Sequence, residues 1–522
     1  MDSGRRQWIA GAAAATLALP AWVGRAFAAE AGGALPLPPL AEVGGSGATL
    51  LEAIDGSMPF LAGRDTPTRG FSQPFLGPVL KLVRGSTARV DVRNRLREAI
   101  TVHWHGLHVP GDVDGGPHGE IAAGALWRPA LEIDQPACTA WYHSHVHGRT
   151  GPQVYSGLAG LLIVDDPAAR DAALPQRYGV DDLPLVLQDR AFAGDGRMVY
   201  APGGMMGAML GVRGDRIVVN GAITPTAAVP AGVVRLRLLN ACNARILHLR
   251  FEDGRSLQQI ASDGGLLPRP VARQSLTLAP GERCELLVDF GDGRAARLLS
   301  APDTNSPMGG MGGMGGMGGM GGMGGMGGMG GGGRGRGMMG GGTNPAPVAG
   351  DGAFLVMNFS VDTARVAAVR ALPAQMAAAA PAPRLGEPLR RRRFVLDSHG
   401  MMGGGMGRGG MGAMAMTING RAFDMARVDL SARRGETEVW EVEAGDMAHP
   451  FHVHGTSFQV LALNGRAVDF ASSGWKDTVL VDGRAELLLR FAHRAGEHAP
   501  YMYHCHILEH EDAGMMGQFT VG

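Results

Sequence analysis

The feature that most limits the fold is a cysteine between two histidines, His504-Cys505-His506, with His510 and Met515 shortly after it. Successive side chains of a β-strand point to opposite faces, so the two imidazoles share one face and the thiolate emerges on the other. One strand can therefore serve two metal sites. A thiolate, an imidazole and a weak axial thioether are the ligands of an electron-transfer copper centre.

Further histidine pairs repeat this spacing. His452 and His454 share a strand face, while His449 lies outside their alternation and is free to serve a different metal. Two more pairs lie near the start of the chain, namely His103 with His105 and His143 with His145. One such pair alone is as often a half-exposed pair on a strand as a ligand pair. Four pairs supply eight imidazoles, enough for a cluster of three metal ions.

Short β-branched and leucine-rich runs recur between Gly, Pro and Asp turns, as in 161–164, 217–219 and 286–288. This pattern is typical of antiparallel β-sandwiches, and few stretches support a long amphipathic helix. A chain of 522 residues exceeds one core and predicts about three domains of ~150 residues each. We predict an all-β fold with domains at 45–167, 168–362 and, after an Ala- and Pro-rich linker at 363–384, 385–522.

The middle of the chain is poor in histidine. Between His147 and His399 the sequence contains only His248, so the predicted second domain has almost no ligands of its own. We therefore expect the imidazole cluster between the first and third domains, each of which would supply four rings.

Both ends of the chain resemble a three-domain multicopper oxidase, most closely the bacterial periplasmic cuprous oxidases of copper-efflux systems. The matching stretches are 103–117, 141–164, 449–461, 474–479 and 503–517. The middle of the chain matches more weakly. The resemblance implies three cupredoxin-like Greek-key β-sandwich domains and four copper ions, one of type 1, one of type 2 and two of type 3.

The resemblance also implies the ligands of each copper. The type 1 ligands would be His449, Cys505, His510 and Met515. The type 2 ligands would be His103 and His452. The type 3 pair would take His105, His143, His145, His454, His504 and His506.

A substrate site for Cu(I) is implied beside the type 1 copper. In the cuprous oxidases an Asp and a Met before the first type 1 histidine bind substrate copper, together with a methionine-rich segment. Here Asp446 and Met447 stand at that place, although the stretch is one residue shorter than the family pattern; Asp446 is otherwise an ordinary turn aspartate. The segment at 399–416 supplies the thioethers of Met401, Met402 and Met406.

Two carboxylates match the proton relay of the family. Reduction of oxygen to two waters consumes four protons, which must reach a buried cluster. Asp114 and Glu511 occupy the corresponding positions. The alternative is that each is a structural hydrogen-bond acceptor that orients a ligand.

A second methionine-rich stretch has no clear counterpart in the family. From Met308 to Met329 a methionine recurs every third residue, separated by Gly-Gly. Glycine at this density cannot build a packed core, so we predict a disordered insertion at 303–342. Thioether sulfur favours Cu(I), which indicates a collector of cuprous ions; the alternative is a low-complexity spacer.

The N-terminus resembles an export signal. Arg5 and Arg6 precede an apolar, alanine-rich stretch that ends at Ala28, a small-X-small cleavage site. Paired arginines indicate a twin-arginine signal at 1–28 and a periplasmic protein; the alternative is an ordinary secretory signal. The formal net charge of zero favours neither nucleic acid nor a membrane as a partner, and we expect a soluble monomer.

The remaining cysteines are Cys138, Cys242 and Cys284. Cys242 and Cys284 could pair within the second domain, but we favour buried free thiols.

The resemblance implies an oxidase that oxidises Cu(I) to Cu(II), reduces O2 to water and serves copper tolerance. One alternative is a laccase with phenolic reductants. A methionine-rich segment that covers the type 1 copper argues against large phenols as its substrates. The other alternative is a non-catalytic copper-storage or chaperone protein that uses the methionine tracts.

Overall fold

The computed structural model describes residues 32–44, 47–167, 174–203, 207, 209–305, 353–376, 386–398, 416–445 and 447–522. The predicted export signal lies outside these residues, as does most of the predicted insertion. Four predicted substrate-site residues also lie outside them, namely Met401, Met402, Met406 and Asp446. No helix among the described residues is long and apolar enough to cross a membrane.

The first sandwich contains two sheets and two short helices. Its elements are β1 (Leu40–Glu42), β2 (Thr49–Leu61), β3 (Arg64–Phe71), β4 (Val79–Val83), β5 (Thr87–Asn94), α1 (Gly111–Asp114), β6 (Leu126–Trp127), β7 (Ala130–Glu132), β8 (Cys138–His143), α2 (Thr150–Ser156) and β9 (Ala159–Asp165). One sheet has the order β1-β4-β9-β8 and the other β3-β2-β5-β6, with β7 also on β5. Because β1 begins at Leu40, the sheet extends beyond the predicted domain start at 45.

The second sandwich has the same two-layer design. Its strands are β10 (Asp182–Arg190), β11 (Arg216–Val219), β12 (Ala222–Ile223), β13 (Thr226–Pro230), β14 (Val233–Asn240), β15 (Leu247–Phe251), β16 (Leu257–Ser262), β17 (Gly265–Arg273), β18 (Leu276–Leu278), β19 (Arg283–Asp289), β20 (Ala296–Ala301) and β21 (Phe354–Asp362). The sheets have the orders β12-β11-β10-β14-β19-β16-β17 and β13-β21-β20-β15-β18. The first half of the predicted linker packs here, since Met376 is buried and Val369 accepts a hydrogen bond from Val233.

The third sandwich carries the cysteine strand. Its elements are β22 (Arg390–Asp397), β23 (Thr417–Ile418), β24 (Leu430–Ala432), β25 (Thr437–Ala444), β26 (His449–Val453), β27 (Phe458–Leu463), β28 (Arg466–Ala467), α3 (Phe470–Ser473), β29 (Trp475–Lys476), β30 (Thr478–Val481), β31 (Arg484–Arg490), β32 (Tyr501–Cys505), α4 (Leu508–Asp512) and β33 (Met516–Val521). One sheet runs β23-β22-β25-β31-β27-β28, with β29 on β27, and the other β24-β33-β32-β26-β30.

The predicted all-β fold is confirmed, but the sheets are mixed rather than purely antiparallel. Each sandwich contains parallel pairs, such as β2 with β5, β10 with β14 and β22 with β25. Parallel neighbours cannot be joined by a tight hairpin, so the chain must cross over between them. The local alternation of apolar and polar residues predicts a strand, but it does not identify the partner or its direction.

The cysteines outside the copper motif are buried and free. Cys138, Cys242 and Cys284 form no disulfide, as predicted. Burial raises the pKa of the Cys138 thiol to about 12 and raises that of Cys242 and Cys284 as well. These thiols therefore remain protonated at neutral pH and behave as small apolar side chains.

Candidate metal centres

A thiolate site lies within the third sandwich. Cys505 ends β32, His449 begins β26 and His510 lies in α4. The Cys505 Sγ is 3.4 Å from His449 Nδ1 and 3.7 Å from His510 Nδ1, and the two Nδ1 atoms are 3.3 Å apart. All three side chains are buried. The register of β26 and β32, which pairs Phe451 with Cys505, brings the two strands together here.

The chain after Cys505 folds back on the thiolate through α4. The Cys505 amide donates to the Met515 carbonyl at 3.1 Å, and the Met515 amide donates to the His510 carbonyl at 2.8 Å. Met515 is buried in the same apolar core as Cys505. The structure therefore brings together all four residues that the resemblance implied for type 1 copper.

The burial of the Cys505 thiol indicates that the thiolate form requires a bound metal ion. Burial raises the pKa of the Cys505 thiol above its ordinary value, so a bound cation is needed to hold the thiolate. His510 Nε2 donates to the carbonyl of Met209 at 2.9 Å, which leaves Nδ1 directed toward the sulfur. Met209 belongs to the second sandwich segment, and no sequence motif pointed to it.

Eight imidazoles form a second site between the first and third sandwiches. His103 stacks on His454 with ring centroids 3.8 Å apart, and His105 stacks on His452 at 3.7 Å. Every ring is buried. Nitrogen atoms within 4.8 Å of one another define three groups: His103, His105 and His452; His105, His143 and His506; His145, His454 and His504. The structure therefore brings together the eight predicted histidines.

Hydrogen bonds to the protein select which nitrogen faces the cluster. His143 Nδ1 donates to the Ser144 carbonyl at 2.9 Å, and His452 Nδ1 donates to the Asp477 carbonyl at 2.8 Å. The Nε2 atoms of both rings have no hydrogen-bond partner among the described residues. His105 is reversed, because its Nε2 lies 3.0 Å from Asp477 Oδ1 while its buried Nδ1 has no such partner.

The electrostatics of the cluster suit neutral metal ligands. Burial, followed by repulsion from neighbouring rings, lowers the pKa values of His145, His454 and His506 below their ordinary value. A buried nitrogen lone pair that has no hydrogen-bond donor costs folding free energy unless a cation binds it. Neutral imidazoles beside a soft thiolate are a donor set that fits copper ions.

Both predicted relay carboxylates touch the imidazole cluster. Asp114 Oδ2 lies 2.8 Å from His454 Nδ1 and 3.2 Å from His103 Nδ1. Glu511 places one oxygen 3.2 Å from His145 Nδ1 and the other 3.2 Å from His504 Nδ1. Among these contacts, that of Asp114 with His454 is a hydrogen bond and orients the ring. The Nδ1 atoms of His103 and His504 instead donate to the backbone carbonyls of Asp114 and Cys505, each at 3.0 Å.

The residues next to His449 connect the thiolate site to the second sandwich. Met447 is buried in the core of the third sandwich. Asn305 Oδ1 accepts from the Ala448 amide at 2.9 Å, and its Nδ2 donates to the Ala448 carbonyl at 2.8 Å. Asn305 is the last described residue before the methionine tract.

Sequence reasoning missed several residues around the imidazole cluster. Asp477 and Thr478 contact His105, and both lie in the stretch 474–479 that carried the resemblance, which is the one signal that could have identified them. Arg283 and Gly281 lie in the second sandwich, outside every stretch that carried the resemblance. They are close to the cluster only because the three sandwiches pack together.

Comparison with known proteins identifies the family. Family models described as multicopper oxidase match residues 55–169 and 399–522. A laccase-like multi-copper oxidase, CueO, from the lignin-degrading bacterium Ochrobactrum sp. is 39% identical, with 94% of this chain and 100% of that chain covered and a TM-score of 0.79. A metallo-oxidase from Campylobacter jejuni is 26% identical, with 95% and 96% coverage and a TM-score of 0.73. These similarities confirm the expected cupredoxin-like sandwiches.

Curated relatives carry a different name. The cell division protein FtsP of Sodalis glossinidius (strain morsitans) is 34% identical over 524 residues, with 100% of this chain and 99% of that protein covered. FtsP of Edwardsiella tarda (strain FL6-60) is 35% identical, with 95% and 94% coverage. With two matched family models and a solved relative that is 39% identical over 94% of this chain, the chain belongs to the multicopper oxidase family.

Proposed function

We propose that the chain is a copper-dependent oxidase that oxidises Cu(I) to Cu(II) and reduces O2 to water. The observation that carries the proposal is the join between the two sites, because Cys505 of the thiolate site is bonded to His504 and His506 of the imidazole cluster. Every ligand position of the family pattern is filled in this chain. Copper ions held there would exchange single electrons and reduce dioxygen.

The proposal assigns four coppers to the two sites. Type 1 copper takes His449, Cys505, His510 and Met515. Type 2 copper takes His103 and His452, and the type 3 pair takes His105, His143 and His506 on one side and His145, His454 and His504 on the other. The protein keeps the reductant and oxygen sites apart, while the backbone of β32 connects them.

Proton delivery falls to Asp114 and Glu511 in this proposal. Glu511 accepts a hydrogen bond of 2.6 Å from the Thr150 hydroxyl, and Asp512 accepts one of 2.9 Å from the Thr150 amide. Burial, followed by repulsion from Glu511, raises the pKa of Asp512 well above its ordinary value. Asp512 is partly exposed, Glu511 touches the ligands and Thr150 bonds both, so these three residues are the proposed route from solvent to the cluster.

Cu(I) is the proposed reductant because a soft thioether lies beside a type 1 ligand and two methionine-rich stretches occur in the sequence. Met447 lies two residues before His449, and the Asn305 side chain fixes the intervening Ala448. In sequence, Met308 follows Asn305 by three residues and begins the methionine tract. We include Asp446, Met447, Met401, Met402 and Met406 in the substrate site, with the tract as a collector.

Oxygen uptake tests this function. Copper-loaded protein should consume O2 with Cu(I) as the sole reductant, and deletion of 306–342 should lower the rate at limiting Cu(I) while leaving the type 1 absorption unchanged. Uptake with a phenol alone would reject Cu(I) as the substrate. Stoichiometric Cu(I) binding without O2 consumption would reject the oxidase altogether in favour of copper storage.

A second candidate is oxidation of phenolic compounds. It is favoured by the similarity to the Ochrobactrum protein, which is described with oxidase activity towards lignin model compounds and lignosulfonate. A variant separates the two candidates. A small phenol and Cu(I) should both reduce the type 1 copper, but only the oxidation of Cu(I) should depend on Met447. Equal losses with both reductants in Met447→Leu would favour the phenol oxidase.

The names of the FtsP relatives favour a third candidate, a role in cell division. Such a role does not require the metal centres. In a bacterium deprived of this chain, rescue of division by a Cys505→Ala variant would support it. Loss of copper tolerance in the same variant, with normal division, would support the oxidase.

We propose the periplasm as the site of action, reached through the twin-arginine route. Arg5 and Arg6 are the basis of this assignment. Cell fractionation of an Arg5→Lys, Arg6→Lys variant should find the protein retained in the cytoplasm. Unchanged export would reject the twin-arginine route.

A further inference from the structure

We infer that Arg283 of the second sandwich is a positioning residue for the imidazole cluster and acts through Asp477; this inference rests on the proposed copper cluster. Arg283 lies at the start of β19 and is fully buried. Its Nη1 donates to Asp477 Oδ1 at 2.6 Å and its Nη2 to Oδ2 at 2.5 Å. A sandwich that supplies no imidazole to the cluster therefore supplies the cation that fixes this carboxylate.

Asp477 passes this constraint to two cluster imidazoles. Its Oδ1 accepts from His105 Nε2 at 3.0 Å, and its backbone carbonyl accepts from His452 Nδ1 at 2.8 Å. His105 comes from the first sandwich and His452 from the third, and their rings stack. Asp477 thus fixes the tautomer of one ring and the orientation of both.

Arg283 also bonds residues of all three sandwiches. Arg283 Nε donates to the Thr139 carbonyl of β8 at 3.1 Å. The Arg283 amide donates to Asp263 Oδ1 at 2.7 Å, and Asp263 Oδ2 lies 3.1 Å from Lys476 Nζ. Arg283 therefore contacts the first sandwich, the second sandwich and Asp477 of the third at once.

Arginine is the side chain that this geometry requires. A planar guanidinium bonds both carboxylate oxygens in parallel, whereas a lysine ammonium acts as a point charge. The guanidinium bonds both oxygens of the buried Asp477 carboxylate, and His105 bonds one of them. Without Arg283, the carboxylate has no full counter-charge and His105 loses its fixed acceptor.

The experiment compares Arg283→Lys, Arg283→Gln and Asp477→Asn with Arg294→Gln in copper-loaded protein. Arg294 is a matched control because it pairs with Asp292 on the exposed surface of the same sandwich. We expect Arg283→Gln to change the type 2 electron paramagnetic resonance signal and to lose at least half of the type 3 near-ultraviolet absorption. Arg283→Lys should retain more of both signals than Arg283→Gln does. The type 1 visible band should persist in all variants, since its ligands do not contact Arg283.

A second readout does not depend on copper or on oxidase activity. In copper-free protein with ¹⁵N-labelled histidine, the wild type and Arg294→Gln should show His105 protonated at Nε2, and Arg283→Gln should show a mixture of tautomers. If Arg283→Gln fails to fold, Asp477→Asn provides the same comparison with a side chain of the same shape. An unchanged His105 tautomer and an unchanged type 2 signal in Arg283→Lys and Asp477→Asn would overturn the inference. A clear tautomer change without O2 reduction would uphold it while rejecting the oxidase.

Discussion

The thiolate site and the imidazole cluster are built in opposite ways. The thiolate site takes its predicted ligands from one sandwich, where α4 folds Met515 back against Cys505. The imidazole cluster takes rings from two sandwiches, as in the contact of His145 with His504, 359 residues apart, and a third sandwich braces it. A site whose ligands come from one domain is less sensitive to movement between domains than a site whose ligands come from two. The two sites should therefore respond differently to substitution, acid and strain.

The largest expected effect separates the sites at their shared strand. Cys505→Ser removes the soft donor of the thiolate site but leaves His504 and His506 in place. We expect loss of the visible band and a fall of about 10³-fold in Cu(I)-driven O2 uptake, with the type 3 absorption retained. Cys284→Ala is the matched control, because it removes another buried thiol, one that lies in the core of the second sandwich and is not a predicted ligand, and it should retain the visible band. Equal uptake in Cys505→Ser would contradict the proposed electron path.

Acid should weaken the copper-free cluster. Burial, the first of several causes, lowers the pKa of His452 to about 4, whereas an unfolded histidine titrates near 6.5. Between these values the unfolded chain binds more protons, so the free energy of unfolding falls as pH falls from about 6.5 to 4, by about 3 kcal/mol for this ring alone. Denaturant unfolding of copper-free protein across this range measures the slope. A flat profile would mean that the rings are not held neutral.

Proton delivery should distinguish the two halves of the reaction. In Glu511→Gln, anaerobic bleaching of the thiolate band by Cu(I) should be unchanged, because Glu511 contacts His145 and His504 rather than the thiolate ligands. Reoxidation by O2 should slow by about 10²-fold, the size expected for a lost proton donor. Stopped-flow absorption follows both phases. Slower bleaching, or normal reoxidation, would assign Glu511 to structure alone.

The smallest expected effect tests the contact between the second sandwich and the imidazole cluster. A Cβ at Gly281 would lie 2.8 Å from His506 Cδ2, and Gly281 also has a φ of +84°. Gly281→Ala should therefore weaken cluster copper binding by about 10-fold and leave the thiolate band intact. Gly254→Ala is the control for backbone strain, since Gly254 has a φ of +75° and open space around its Cβ position. Equal copper affinity in the two variants would show that His506 can move aside.

The local part of this design could be predicted from the sequence, because strand alternation is a local property. The alternation around Cys505 separated the thiolate from the His504 and His506 rings, and the other histidine pairs followed the same rule. The family resemblance then supplied Asp114 and Glu511. Free, buried thiols were also predicted correctly, since Cys242 and Cys284 form no disulfide.

The contribution of the second sandwich to the cluster could not be predicted. Arg283 and Asp477 are 194 residues apart, and an ion pair has no periodicity that a sequence pattern can reveal. Gly281 looks like any turn glycine until the ring of His506 is seen beside it. Parallel pairing, as between β10 and β14, was missed because apolar alternation is the same for both strand directions.

The most direct test of the central claim is the ratio of Cu(I) oxidised to O2 consumed by copper-loaded protein. The account predicts a ratio of about four, with no hydrogen peroxide released, because the thiolate site supplies electrons one at a time to a cluster that completes the reduction to water. A ratio near two with peroxide would contradict the proposed cluster. Oxidation of Cu(I) no faster than in a Cys505→Ser variant would contradict the join between the two sites.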